Sequence, residues 1–313
     1  MRAGGGGCHW LGLALAVAAC DPPPTPGPQL GSSTASSTAS STASVLPSAS
    51  APPVRPRVPA ATSSGCRILG LSGEVKQGGE PLANGAVVYG TAWLELGKDA
   101  SLTLRHTVST REVTLKGPGA ALPCLDGEED VLLAAGTFVS TAGPGARPGA
   151  EVVVFTPLGT VSYGDAQITV RASKTKVDVS STKGEAWVLP AQGATRKGPE
   201  KAGGPNDKPV LTGPGTIEPL VKECERAAEQ AEGLARAVLG PATGDGGTLG
   251  ERAAAHLGAR KAARRACGAA RAGARTEPDT DKRSGFERRV QEASRRWRSL
   301  GVPGEPAAKS SAE

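Results

Sequence analysis

Between Cys66 and Pro190 apolar residues recur at every second position, and from Ile217 onward they recur at every third or fourth. Side chains alternate across a strand but return to one face of a helix after three or four residues, so this switch divides the chain into a β part and an α part. The alternating pairs are Leu94/Leu96, Leu102/Leu104, Val113/Leu115, Val131/Leu133, Val152/Val154, Ile168/Val170 and Val177/Val179. Turn clusters punctuate them at Gly97-Lys98-Asp99, Gly117-Pro118-Gly119, Gly143-Pro144-Gly145 and Gly184-Glu185. Many short strands at this spacing predict an antiparallel β-domain over 66–190, a sandwich or roll with one wet face per strand.

In the α part, Ile217, Leu220, Val221, Cys224, Ala228, Ala231, Ala235 and Val238 share a helical face, and Gly240-Pro241 ends it. Thr248 with Glu251 forms the pattern of a capping box, each side chain satisfying a free backbone N–H of the other. That second helix is expected to end near Gly273. A third is predicted from Ser284, with Glu287 in a second capping box, the stripe Phe286, Val290, Ala293, Trp297 and Leu300, and a stop at Gly301. The expected organisation is a short helical hairpin plus one helix over 217–301, separate from the β-domain. The breaker-rich segment 191–216 is expected to be an interdomain linker, and 302–313 a disordered tail.

The amino-terminal end has a different character. A short apolar run from Trp10 ends in Val17-Ala18-Ala19-Cys20, which resembles a bacterial lipobox: an aliphatic residue, two small residues and a cysteine that takes a lipid. The run is about half of the roughly 20 residues a spanning helix needs, and Arg2 supplies the positive charge of a signal peptide. The expectation is a signal peptide over 1–19 and lipidation at Cys20. A plain secretory signal cut after Ala19 is the alternative. From Asp21 to Ser64 the chain is Pro, Ser, Thr and Ala, with the run SSTASSTASSTAS at 32–44. Such composition cannot bury a core, so 20–65 reads as a disordered, lipid-anchored stalk.

An exported chain meets an oxidising compartment, where cysteines pair. Cys224 and Cys267 lie almost symmetrically about Asp245–Gly246, so an antiparallel hairpin would set them opposite one another. Cys66 and Cys124 remain as a candidate second bridge, although four cysteines allow three pairings and buried free thiols are the alternative.

The formal net charge is +6, with acids concentrated in the first helix (Glu218, Glu223, Glu225, Glu229, Glu232) and bases in the other two. Pairing of the first helix with the second, beside a solvated face, accounts for this. A basic surface for an anionic envelope partner is the sharper reading. No catalytic residues are expected. His106 and His256 sit in no HExxH, no CxxC occurs, and no metal or other cofactor is expected. Thr160-Val161-Ser162-Tyr163-Gly164 lacks the first glycine of a nucleophile elbow. Gly244 to Gly250 follows a helix where a phosphate loop follows a strand. Glu128-Glu129-Asp130 reads as a turn, His106 as a strand end and His256 as a polar position on the hairpin.

Several segments together resemble the FecR-type periplasmic domain. They are Ala92-Trp93-Leu94-Glu95-Leu96-Gly97-Lys98-Asp99-Ala100-Ser101-Leu102-Thr103-Leu104, Arg111 to Gly119, Val131 to Gly136, Val152 to Val161, Val177-Asp178-Val179 and Lys183 to Ala186. The resemblance implies an extracytoplasmic β-domain used for binding or assembly. A FecR-type sensor proper also has a cytoplasmic segment and a transmembrane helix, neither of which this sequence displays, so its signalling does not carry over. The expected function is a non-catalytic binding or scaffold lipoprotein of the bacterial cell envelope, periplasm-facing, with the membrane and an envelope protein or glycan as partners and no nucleic acid. The alternative is a ligand-sensing component that signals through a separate membrane partner.

Overall fold

The computed structural model describes residues 65–107, 109–125, 128–141, 151–204, 206–239 and 248–299, all within one compact unit. The segment 1–64 with the expected signal peptide, Cys20 and the stalk, the Gly143-Pro144-Gly145 turn, the Gly240-Pro241 stop with residues 244–247 of the following loop, and the tail from Leu300 lie outside the described residues.

The first strands are β1 (Cys66–Ser72), β2 (Val75–Gln77), β3 (Glu80–Pro81), β4 (Val87–Val88), β5 (Leu94–Leu96) and β6 (Ser101–His106). Two long strands follow, β7 (Glu112–Leu122) and β8 (Val131–Thr141), then β9 (Val152–Thr156), β10 (Gly159–Tyr163), β11 (Gln167–Ala172), β12 (Lys176–Lys183) and β13 (Ala186–Pro190). Three short ones close the set: β14 (Thr195–Lys197), β15 (Lys201–Ala202) and β16 (Val210–Thr212). The main path runs β14-β16-β12-β11-β8-β7-β5-β2-β3, with β6 carrying β1 and β4, and β9 carrying β10, β13 and β15.

Three expectations are corrected here. The domain is mixed, because β9 pairs parallel with the start of β8 in the register Val131↔Val154 and Leu132↔Phe155. The far half of β8 is taken by β11, so the returning chain finds its free edge only at the strand's beginning. Secondly, 191–216 is no linker. Its Gly and Pro residues space out β14, β15 and β16 rather than prevent them, and Leu211 and Ala202 are fully buried. Thirdly, Gly117-Pro118-Gly119 is no turn but an irregularity inside β7, where the register with β8 shifts between Lys116 and Ala120. A Cβ at Gly119 would overlap the Ala135 carbonyl, so glycine is what allows the two strands to approach.

The seven alternating pairs all point inward and are at least nine-tenths buried, building the main core with Phe138, Val161 and Val188. A second apolar surface lies on the other face of the sheet. Val131 and Leu133 enter the main core, whereas Leu132 joins Leu122, Leu125 and Phe155 in a separate cluster edged by Trp93 and Val153. Strands apolar on both faces must be covered on both. Helices provide that second cover.

Helices α1 (Glu218–Leu239), α2 (Leu249–Arg275) and α3 (Thr280–Arg298) pack on one another through a core of Val221, Cys224, Ala228, Ala263, Ala270 and Trp297. The Thr248/Glu251 capping box is formed in both directions. The third helix starts earlier than predicted, because Asp279 accepts from the N–H groups of Asp281 (3.0 Å) and Lys282 (3.1 Å). The α part is not separate. From Cys267 to Ala270 and again from Ala272 to Ala274 every residue of α2 is buried, since this helix has α1 and α3 on one side and the sheet on the other.

Gly268 marks the closest approach. A Cβ there would overlap the Cγ, Cδ1 and Cε1 atoms of the Phe155 ring. Gly268→Val is therefore expected to cost about 1–3 kcal/mol by overpacking. Chemical denaturation of the single variant and of its combination with Phe155→Ala checks this, the combined change costing less than the sum if the clash is the cause.

The structure contains two disulfides, Cys66–Cys124 with Cα atoms 6.2 Å apart and Cys224–Cys267 with Cα atoms 4.5 Å apart. The first ties β1 to the segment after β7. The second ties α1 to α2 within the helical core.

Candidate functional site

Where α2 and α3 meet the sheet they leave a groove of about 480 Å³. Its apolar lining comes from both halves of the fold: Trp93, Leu125, Leu132 and Phe155 from the β-domain, and Val290 and Trp297 from α3. Gly90 and Gly268 bring backbone to its wall. Around it stand Arg264 and Arg271 of α2 and Arg295 and Arg298 of α3, with one carboxylate, Glu287. The α3 residues Glu287, Val290, Gln291, Ser294 and Arg298 recur at three- and four-residue steps, which places them on one helix face.

The arginines are positioned rather than loose. Arg264 pairs with Glu128 and, at 2.6 Å, with Asp130, whose other oxygen accepts the Val153 N–H at 3.0 Å. The Arg298 guanidinium lies 5.3 Å from the Trp297 ring centroid. Beside the groove, Arg275 lies 5.7 Å from the Trp93 ring and pairs with Glu95. The Trp297 indole N–H is buried and has no acceptor among the described residues. A second, larger cavity of about 650 Å³ lies between α1, α2 and the paired strands β10 and β13. Its lining is mainly Ala, Leu and Pro, and its Glu223 and Arg226 close on each other at 2.6 Å.

The residues singled out by sequence fall in unexpected places. Glu128-Glu129-Asp130 is more than a turn: Glu128 and Asp130 hold α2, and Glu129 accepts from Arg111 Nε at 2.7 Å. Arg111 is 2% exposed, stacks 5.3 Å from the Tyr163 ring and sits beside His106, whose Nδ1 lies 3.9 Å from Glu129. His106 ends β6 as expected but is buried, its Nδ1 accepting the Ser109 N–H at 3.2 Å. His256 is also buried, and burial, reinforced by Arg260, holds its imidazole below the usual value. The elbow-like run 160–164 lies on β10 and the residue after it, with Thr160 and Tyr163 buried. The acids of α1 pair with α3 or within α1 rather than with α2: Arg289 donates to Glu225 and Glu218 at 2.8 Å each, whereas Glu223 and Glu232 pair with Arg226 and Arg236 of α1 itself. The bond from Arg289 holds the Glu225 carboxyl below the usual carboxylate range. Among the described residues no group of three His, Cys, Asp or Glu could hold a metal ion, and no helix is long and apolar enough to cross a membrane.

Burial pushes the Tyr163 phenol above its ordinary value near 10, with Ser140 and then Arg111 opposing. The folded state therefore keeps a proton that the unfolded state releases above about pH 10, and stability falls as pH rises from there. We expect wild type to lose up to about 1.4 kcal/mol per pH unit more than Tyr163→Phe above pH 10. Urea midpoints of the two proteins between pH 8 and 11 measure the difference.

No protein-family model matches this chain, and no curated protein matches it in sequence. The groove lay outside period counting because it is built across the fold. Its signal was nevertheless present: Val131-Leu132-Leu133-Ala134 and Val152-Val153-Val154-Phe155 are apolar at consecutive positions, the mark of strands covered on both faces.

Proposed function

We propose that the protein is a lipid-anchored binding module of the bacterial cell envelope, with a FecR-like β-domain extended by docked helices and no catalytic activity. The observation that carries this reading is the groove between α2, α3 and the sheet, apolar within and cationic around, in a body tied by two disulfides. Concave, mainly apolar sites with a few placed polar groups are how folds hold partners. Disulfides suit an oxidising compartment, and the Val17-to-Cys20 segment supplies the tether. In this reading the stalk holds the groove away from the bilayer, within reach of envelope proteins, glycans or ligands. Mass spectrometry of the amino-terminal peptide from detergent-extracted membranes is expected to find a diacyl or triacyl adduct on Cys20. A chain still beginning at Met1 and recovered from the cytosol overturns the reading.

A further inference from the structure

We infer that the cavity between α1, α2 and the paired strands β10 and β13 binds a small aliphatic carboxylate that carries a hydroxyl at its far end. This goes beyond the binding role proposed above, since it adds a site on the opposite flank of α2 from the groove. The cavity of about 650 Å³ lies within the range of small-molecule sites. Its origin is in the packing. Cys224–Cys267 holds α1 against α2, and Gly268 lets α2 down onto Phe155, so both walls are fixed. On this flank α2 offers only Ala262, Ala266 and Ala269 beside Arg265, and the alanines are too short to fill the space. The apolar walls are surfaces that water reaches: Leu189, Ala191 and Ala266 are half-buried, and Pro190 and Ala262 are exposed. Covering them with an aliphatic body is favourable.

Thr160 carries the assignment. Val161 points into the main core, so the pleat turns its neighbour Thr160 to the helix side. There it stands in one row between Phe155, on which Gly268 of α2 packs, and Leu189, which stays half-buried at the cavity. Thr160 is only 4% exposed, and its Oγ1 has no hydrogen-bond partner among the described residues, whereas the Thr156 Oγ1 donates to the Gly159 carbonyl at 2.8 Å. A buried hydroxyl that opens into a cavity is a fixed point for a hydrogen-bonding group. Charge sets the other end. Glu223 and Arg226 neutralise each other, so the net positive charge of the lining is that of Arg265, which makes no ion pair or hydrogen bond with any described residue. Arg265 and the Gln192 amide are exposed at the mouth, and Thr160 lies in the depth. A carboxylate and a hydroxyl at opposite ends of one chain meet both. None of the described lining residues is aromatic, so planar rings find nothing to stack on.

The test uses the full chain with Cys20→Ser, which removes the acylation site, isotope-labelled for amide NMR and titrated with 6-hydroxyhexanoate. Saturable shifts are expected at the amides of Leu189, Gln192, Ala262 and Ala266. Hexanoate is expected to bind about fivefold more weakly, the worth of one hydrogen bond. The diol 1,6-hexanediol is expected to bind about tenfold more weakly or worse, for want of the charge-assisted bond. Thr160→Val keeps the shape and should bring the two acids to equal affinity. Its thermal midpoint should be no lower than that of the parent, because the hydroxyl it removes has no partner in the fold. Arg265→Gln should lower both acids to the level of the diol. Absence of saturable shifts overturns the inference. So does equal binding by the diol, which makes the cavity merely apolar, and so does a preference for the hydroxy acid that survives Thr160→Val. Shifts centred on Trp93 and Trp297 place the ligand in the other groove and overturn it too. Lipidation at Cys20 plays no part in this assay, so a failure here sinks the ligand assignment and leaves the anchored-module reading standing.

Discussion

Replacing Glu129 with leucine is expected to lower the stability of the protein by about 3–5 kcal/mol, the range for leaving a buried charge unpaired. Arg111 is 2% exposed, and Glu129 is its carboxylate partner at 2.7 Å. Among the described residues its other side-chain contacts, the Gly164 carbonyl at 2.5 Å and the face of Tyr163, carry no full negative charge. Removing the carboxylate thus strands a guanidinium in the interior. The same reasoning predicts a rescue: Arg111→Met combined with Glu129→Leu removes both charges and should recover most of the loss, since a buried ion pair contributes little over a well-packed apolar one. Denaturant unfolding of the two singles and the double completes the cycle. If the double is as unstable as Glu129→Leu alone, the pair is not what holds this region.

Opening Cys224–Cys267 should have a comparable effect. The bond joins residues 43 apart in sequence, and in the chain-entropy treatment a loop of this length is worth about 4 kcal/mol. Little else can compensate, because α1 and α2 meet largely through alanine, and each alanine buries little apolar area. Cys224→Ala with Cys267→Ala is expected to lower the denaturation midpoint sharply and to convert one cooperative transition into two, the helices loosening before the β-domain. A double variant that unfolds in one transition within 1 kcal/mol of wild type contradicts this. The Cys66–Cys124 bond, inside a well-filled β core, offers a control in which the transition stays single.

Much of this fold was legible in the period of the apolar residues. Leu102 and Leu104, or Val177 and Val179, point inward because a pleat leaves them no other arrangement once one face is covered. Thr248 and Glu251 are legible for the same reason, as the capping contact spans only three residues. What escaped reading depends on distance along the chain. Arg111 and Glu129 are 18 residues apart, and no local pattern distinguishes this arginine from one on the surface. Phe155 and Gly268 meet only after the whole sheet has formed. The segment 191–216 misled because Gly and Pro count as breakers, yet three residues between two turns suffice for a strand that merely extends an existing edge. Of the groove, the aromatic and cationic residues were each visible, but their assembly is tertiary.

The double-sided character of β8 and β9 also has a consequence in time. A chain is synthesised from its amino terminus, so Leu132 and Phe155 emerge well before Gly268, which packs on the Phe155 ring. Until α2 arrives, the nascent β-domain presents an oily outer face to its surroundings. This interval is when the protein is most vulnerable to aggregation and most dependent on chaperones. Any shortened version that stops before α2 prolongs that interval indefinitely. The helices are in this sense the closing act of biogenesis as well as one wall of the groove.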